Sequence, residues 1–115
     1  MKKSKAMDVS NFTAEILNVA LEMSLEWGPN WLSPINGRIK SRYPELTEEQ
    51  ANDLNLWCVE VSRYAYKLIE MDYPLVMFKG EEGTGIEQVQ QKYPQINEEN
   101  LGRLYNQGMY YAWHG

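Results

Sequence analysis

The chain is expected to fold as a small all-α single domain of about five helices, with two helix-corner-helix units packed around a central helix. Three observations predict this. Apolar residues recur at helical spacing in the longer segments, no segment alternates as a strand would, and starts and stops are marked by capping residues, glycine and proline. With 115 residues, 43% hydrophobic and 12% aromatic, the chain can bury one core without disulfides or metal. The expected layout is a disordered basic leader over residues 1–8 and one helical domain over residues 9–115.

The elements follow in order. Ser10 or Asn11 is placed to cap a first helix running to about Trp27, where Gly28-Pro29 stops it. Its core face reads as Phe12, Ile16, Val19, Ala20, Met23 and Trp27. Leu17, Leu21 and Leu25 form a second, narrower stripe that needs a cover, either residues 74–78 or a partner subunit. Ser33-Pro34 suits the start of a short helix that carries Ile35 and Ile39 inward, with Tyr43 beside them, and Arg38, Lys40 and Arg42 outward. That helix ends before Pro44, which disfavours helical geometry at Tyr43.

Thr47-Glu48-Glu49-Gln50 is a capping box and opens the central helix, expected to run to about Met71 and to stop near Asp72-Tyr73-Pro74. Leu54, Trp57, Cys58, Val61, Tyr64, Ala65, Leu68 and Ile69 fall on its wide buried arc. Leu56, Val59 and Tyr66 lie off that arc, so the helix is expected to meet neighbours on more than one side. Residues 74–78 fit a helical turn or an extended strap equally well. Three glycines and two adjacent glutamates make residues 79–85 the most mobile internal loop. Thr84-Gly85-Ile86-Glu87 repeats the capping-box pattern and opens a short helix to Lys92, with Ile86 and Val89 inward. Tyr93-Pro94 ends it. Asn97 then caps a final helix to about Trp113, with Leu101, Leu104, Tyr105, Gly108 and Ala112 on one face.

Arg42-Tyr43-Pro44-Glu45-Leu46-Thr47-Glu48-Glu49 and Lys92-Tyr93-Pro94-Gln95-Ile96-Asn97-Glu98-Glu99 read alike at a constant spacing of 50 residues. Ile39 with Val89, and Leu54 with Leu104, extend the match. Each unit is a short helix, a Tyr-Pro turn with a buried Leu or Ile, a cap, two glutamates at the positive end of the helix dipole, and a long helix. Duplication accounts for such a pattern, and so does the shared vocabulary of any tight helical corner.

Composition narrows function mainly by exclusion. Eleven Lys and Arg against sixteen Asp and Glu give a net charge of −5, which repels nucleic acid and anionic membrane. No apolar run is long enough to span a bilayer. The single cysteine, Cys58, sits on the apolar arc as a small core residue, and the expected setting is cytoplasmic. His114 is the only histidine and stands next to the last residue, so a hydrolytic triad lacks its base and the usual zinc sites lack their ligands. No catalytic residue, metal or cofactor is expected, and the chain reads as a non-enzyme.

A short helix, a tight turn and a longer helix also outline a helix-turn-helix, with Arg38, Lys40 and Arg42 as the nucleic-acid contacts. Glu48, Glu49 and Asp53 would then face phosphates, which disfavours it. The favoured reading is a non-catalytic protein-protein interaction domain, acting as an adaptor, inhibitor or regulatory subunit through an acidic surface and a C-terminal aromatic helix. Tyr105, Met109, Tyr110, Tyr111 and Trp113 nearly encircle that helix, more than one face can bury, and such residues collect at interface centres. The partner is an unidentified protein, with a homodimer as one option and no membrane.

Overall fold

A computed structural model describes residues 8–31 and 33–114. The leader expected over residues 1–8 therefore lies, except for Asp8, outside the described residues. Five α-helices make up the fold: α1 (Ala14–Ser24), α2 (Asn36–Arg42), α3 (Glu48–Lys79), α4 (Gly85–Lys92) and α5 (Glu98–His114). Among the described residues there is no strand, and no helix is long and apolar enough to cross a membrane. Close contacts group the chain into two units, Met1–Val59 and Glu60–Gly115, whose boundary falls within α3.

In the first unit, α1 is shorter than its sequence suggests. Asp8 Oδ1 accepts from the backbone N–H and the hydroxyl of Ser10, so neither Ser10 nor Asn11 caps the helix. Thr13 does, its Oγ1 accepting from Ile16 N at 3.2 Å. At the other end the Arg38 guanidinium donates to the Met23 carbonyl at 3.0 Å, satisfying one of the groups a helix end leaves bare. Phe12 and Trp27 thus fall outside the helix, and Trp27 is exposed. Without them the expected face loses its two ends, and the core side is the other stripe: Leu17, Leu21 and Leu25 are buried with Ala20, while Ile16, Val19 and Met23 are only half-buried.

The corner that follows forms as the sequence leads one to expect. Ile35 and Ile39 are fully buried, α2 stops at Arg42 before Pro44, and Leu46 closes the turn with 7% exposure. Thr47 and Gln50 complete the capping box, Gln50 N donating to Thr47 Oγ1 at 3.0 Å and Thr47 N to Gln50 Oε1 at 2.9 Å. Ser33, by contrast, does not cap α2. Its hydroxyl donates to Asn30 O, and Ile35 N donates instead to Asn55 Oδ1 at 3.0 Å, reaching across from α3.

α3 carries its apolar arc inward through Leu54, Trp57, Cys58, Val61, Ala65 and Ile69. Leu56 and Val59, expected to meet further neighbours, are exposed. The helix also passes through Pro74 to Lys79, correcting the expected stop near Asp72-Tyr73-Pro74. Proline removes one donor, and the carbonyl it would have served belongs to Glu70, an exposed residue. Residues 74–78 are therefore helical. Met77 and Phe78 are exposed. Gly80, at φ +68°, ends the helix in the left-handed region, and Glu81 N returns to Leu75 O at 3.0 Å.

In the second unit the capping box expected at Thr84 is absent, because Thr84 Oγ1 accepts from the Gln88 side chain and not from the backbone. Asp72 on α3 takes that role: its Oδ2 accepts from Gly85 N at 2.6 Å. Val89 is buried as expected, but Gly85 rather than Ile86 is the other inward position. Asn97 caps α5, its Oδ1 accepting from Asn100 N at 2.9 Å, and Leu101, Leu104 and Gly108 pack inward beside Asn100 and Gln107.

The two corners are built alike. Tyr43 and Tyr93 adopt φ,ψ of −128°, 82° and −126°, 70°. Each donates its N–H four residues back, to Ile39 O at 2.9 Å and to Val89 O at 2.8 Å. Each carbonyl then accepts from the buried residue three further on, Leu46 at 3.0 Å and Ile96 at 3.1 Å. The 50-residue spacing of sequence is thus a repetition of local geometry as well.

Candidate partner-binding surface at the ends of α3 and α5

The extension of α3 through Pro74 places a second set of large side chains near the aromatic end of α5. Tyr73 and Met77, one turn apart, together with Asn106, Met109, Tyr110 and Trp113, line an open groove of about 270 Å³. Among the described residues no carboxylate, ammonium or guanidinium lines it. Phe78 lies at its α3 side, its ring 6.1 Å from that of Tyr73. Phe78 at 78% exposure, Trp113 at 67%, Met77 at 54% and Tyr110 at 48% make this a patch of exposed apolar surface, unlike the scattered single apolar residues normal on a monomer.

Of the residues selected from sequence, Met109, Tyr110 and Trp113 come together in the groove. Tyr105 is half-buried and Tyr111 lies to one side. Tyr111 packs against Tyr66 with ring centroids 5.7 Å apart, and the Tyr66 hydroxyl donates to the buried Gln107 Oε1 at 2.8 Å. Burial pushes both phenols above their ordinary range. These two rings anchor α5 against α3 and leave Tyr110, on the next position round the helix, facing solvent. The His114 ring lies tilted against Tyr110, centroids 4.1 Å apart, and edge-on to Trp113 at 4.5 Å.

Sequence reasoning missed Tyr73, Met77 and Phe78 because Pro74 reads as a stop. The available signal was the i, i+4 spacing of Tyr73 and Met77, which matters only if the helix continues.

The three bases of the helix-turn-helix alternative do not act together. Arg38 is committed: besides Met23 O it pairs with Glu26 at 3.3 Å and donates to Ser33 O at 3.3 Å. Lys40 Nζ pairs with Glu48 Oε2 at 2.6 Å. Arg42 is exposed, its guanidinium 5.6 Å from the Tyr43 ring centre. Cys58 is fully buried, and burial pushes its thiol far above the range in which a thiolate forms. Among the described residues no three His, Cys, Asp or Glu side chains gather as a metal site. The groove itself offers π faces, two phenol hydroxyls, thioethers and one amide. No protein-family model, curated protein or solved structure matches the chain.

Proposed function

We propose that this protein is a non-catalytic protein-binding domain, an adaptor, inhibitor or regulatory subunit, that engages its partner through the groove between the ends of α3 and α5. The observation that carries the reading is the cluster of Tyr73, Met77, Met109, Tyr110 and Trp113, of which Met77, Tyr110 and Trp113 are exposed, with no charged side chain among the described residues of its lining. Aromatic residues and methionine have the composition of an interface centre, and their exposure in the free protein costs solvation that a partner would recover. A cytoplasmic setting belongs to this reading, consistent with a lone thiol buried in the core.

The test is capture of the tagged protein from lysate of its native host, with and without nuclease, beside the Tyr110→Ala and Trp113→Ala variants. The expected result is a protein retained through nuclease treatment and lost, by about tenfold or more in affinity, in both variants. Both side chains are largely exposed, so thermal stability should stay nearly unchanged. Retention of the same partner by both variants would sink the proposal. Retention abolished by nuclease would instead favour nucleic acid, a reading weakened here by the engagement of Arg38 and Lys40.

A further inference from the structure

Resting on that reading, we infer that the partner segment is a basic amphipathic helix, its apolar side chains seated in the groove and its lysines or arginines placed along the rim. Three independent features favour a cation there. First, the groove lies in the last turns of both helices that form it, since Tyr73 and Met77 precede the α3 end at Lys79, and Met109, Tyr110 and Trp113 precede the α5 end at His114. The carbonyl ends of helices carry partial negative charge, so the α3 end, with Lys79 in its last turn, flanks the site.

Second, residues 60–115 carry eight carboxylates against five lysines and arginines. Glu70, Glu81 and Glu82 are exposed, and none of them is in an ion pair among the described residues; Glu98 and Glu99 open α5, at the end away from the groove. Glu70 stands one helical turn before Tyr73, and Glu81-Glu82 follow the α3 end after Lys79 and Gly80, so two carboxylates stand beside one ammonium there. Of the bases in the same unit, Lys92 already lies 4.7 Å from the centre of the Tyr64 ring, and Arg103 donates to Asn100 Oδ1 at 2.9 Å. Third, Tyr73, Tyr110 and Trp113 present rings to the groove, and ring faces attract ammonium and guanidinium groups.

The other occupants fit less well. A second copy would bring the same acidic excess to the same rim, and nucleic acid or an anionic bilayer would be repelled by it. An acidic or neutral helix would fill the groove but gain nothing from the α3 end or from Glu70, Glu81 and Glu82. Helix-in-groove docking with anchors at i, i+3, i+4 and i+7 is the mode that uses both the groove and the rim.

The experiment uses three synthetic helical peptides of about 14 residues, patterned for one apolar face. One carries leucine on that face and lysine elsewhere, the second has glutamate at every lysine position, and the third keeps the lysines with serine replacing leucine. Binding to the full chain is followed by fluorescence anisotropy at low and high salt. The expected result is saturable binding of the leucine-lysine peptide, at least about tenfold tighter than either control, weakened by salt and by Tyr110→Ala with Trp113→Ala. Equal binding of the lysine and glutamate peptides, each lost in the double variant, would overturn the charge inference and leave the docking surface standing. Binding of any peptide unaffected by the double variant would overturn both. Sedimentation showing a dimer that the double variant dissolves would also overturn the inference, in favour of a second copy.

Discussion

Asp72 sits on α3, yet one of its oxygens closes the start of α4, and the two glycines beside it leave the carboxylate room. A Cβ at Gly85 would stand 2.8 Å from Asp72 Oδ2 and 3.1 Å from the Leu68 backbone, while one at Gly102 would meet nothing within 4 Å. Gly85→Ala is therefore expected to cost about 1–3 kcal/mol through overpacking. Gly102→Ala, in the exposed interior of α5, should instead add about 0.5–1 kcal/mol. Asp72→Ala strands the buried Gly85 N–H and should lose about 1–3 kcal/mol. Urea unfolding midpoints of the three variants check all of this, and a destabilised Gly102→Ala with an unaffected Gly85→Ala would contradict the packing described. The cap at Thr47 and Gln50 was readable in sequence because both partners lie three residues apart. The caps from Asn55 and Asp72 were not, since they come from 20 and 13 residues away, along a different helix.

At the level of elements, α3 shows local propensity giving way to packing. Proline in a helix interior costs about 3 kcal/mol relative to alanine, which is why a stop at Pro74 is the natural sequence reading. The helix persists because Val61, Ala65, Ile69 and Asp72 are buried along one side right up to the proline, while the residue whose carbonyl loses its donor faces water. Pro74→Ala should therefore raise stability, by up to about 3 kcal/mol, and increase helical content by circular dichroism; a loss of either would mean that the ring itself is required. The corners behave in the opposite way, with local and tertiary preferences agreeing. Leu46 and Ile96 occupy equivalent buried positions, so Leu46→Ala and Ile96→Ala are each expected to cost about 2–5 kcal/mol in chemical unfolding. A near-neutral result at one site would show that the two corners, alike in backbone, differ in how they support their units.

For the molecule as a whole, the sensitive pH range is alkaline. Burial first, and the Glu60 carboxylate after it, push the Tyr93 phenol up from near 10 to about 12. Tyr66 and Tyr111 are raised in the same direction. The folded state thus holds these protons to higher pH than the unfolded chain does. The Tyr93 contribution is full below about pH 10 and is lost as pH climbs through 12. Unfolding midpoints measured from pH 8 to 12 should fall above about 10, and Tyr93→Phe should flatten part of that fall. A slope unchanged in Tyr93→Phe would assign the effect to the other phenols.

What the sequence determined by itself was whatever nearest neighbours decide: the all-α class, the Thr47 and Asn97 caps, the Tyr-Pro corners and most of the buried arc of α3, where Tyr64 and Leu68 are only half-buried. Periodicity and capping act within one or two turns, so their causes are present in the string. Tertiary structure decided the rest. It chose which stripe of α1 faces the core, carried α3 through Pro74, capped α2 and α4 from a distant helix, and brought Tyr73 and Met77 beside Tyr110 and Trp113. Each of these depends on groups far apart in the chain meeting in space, where burial and hydrogen bonding outweigh the few tenths to few kcal/mol of local preference.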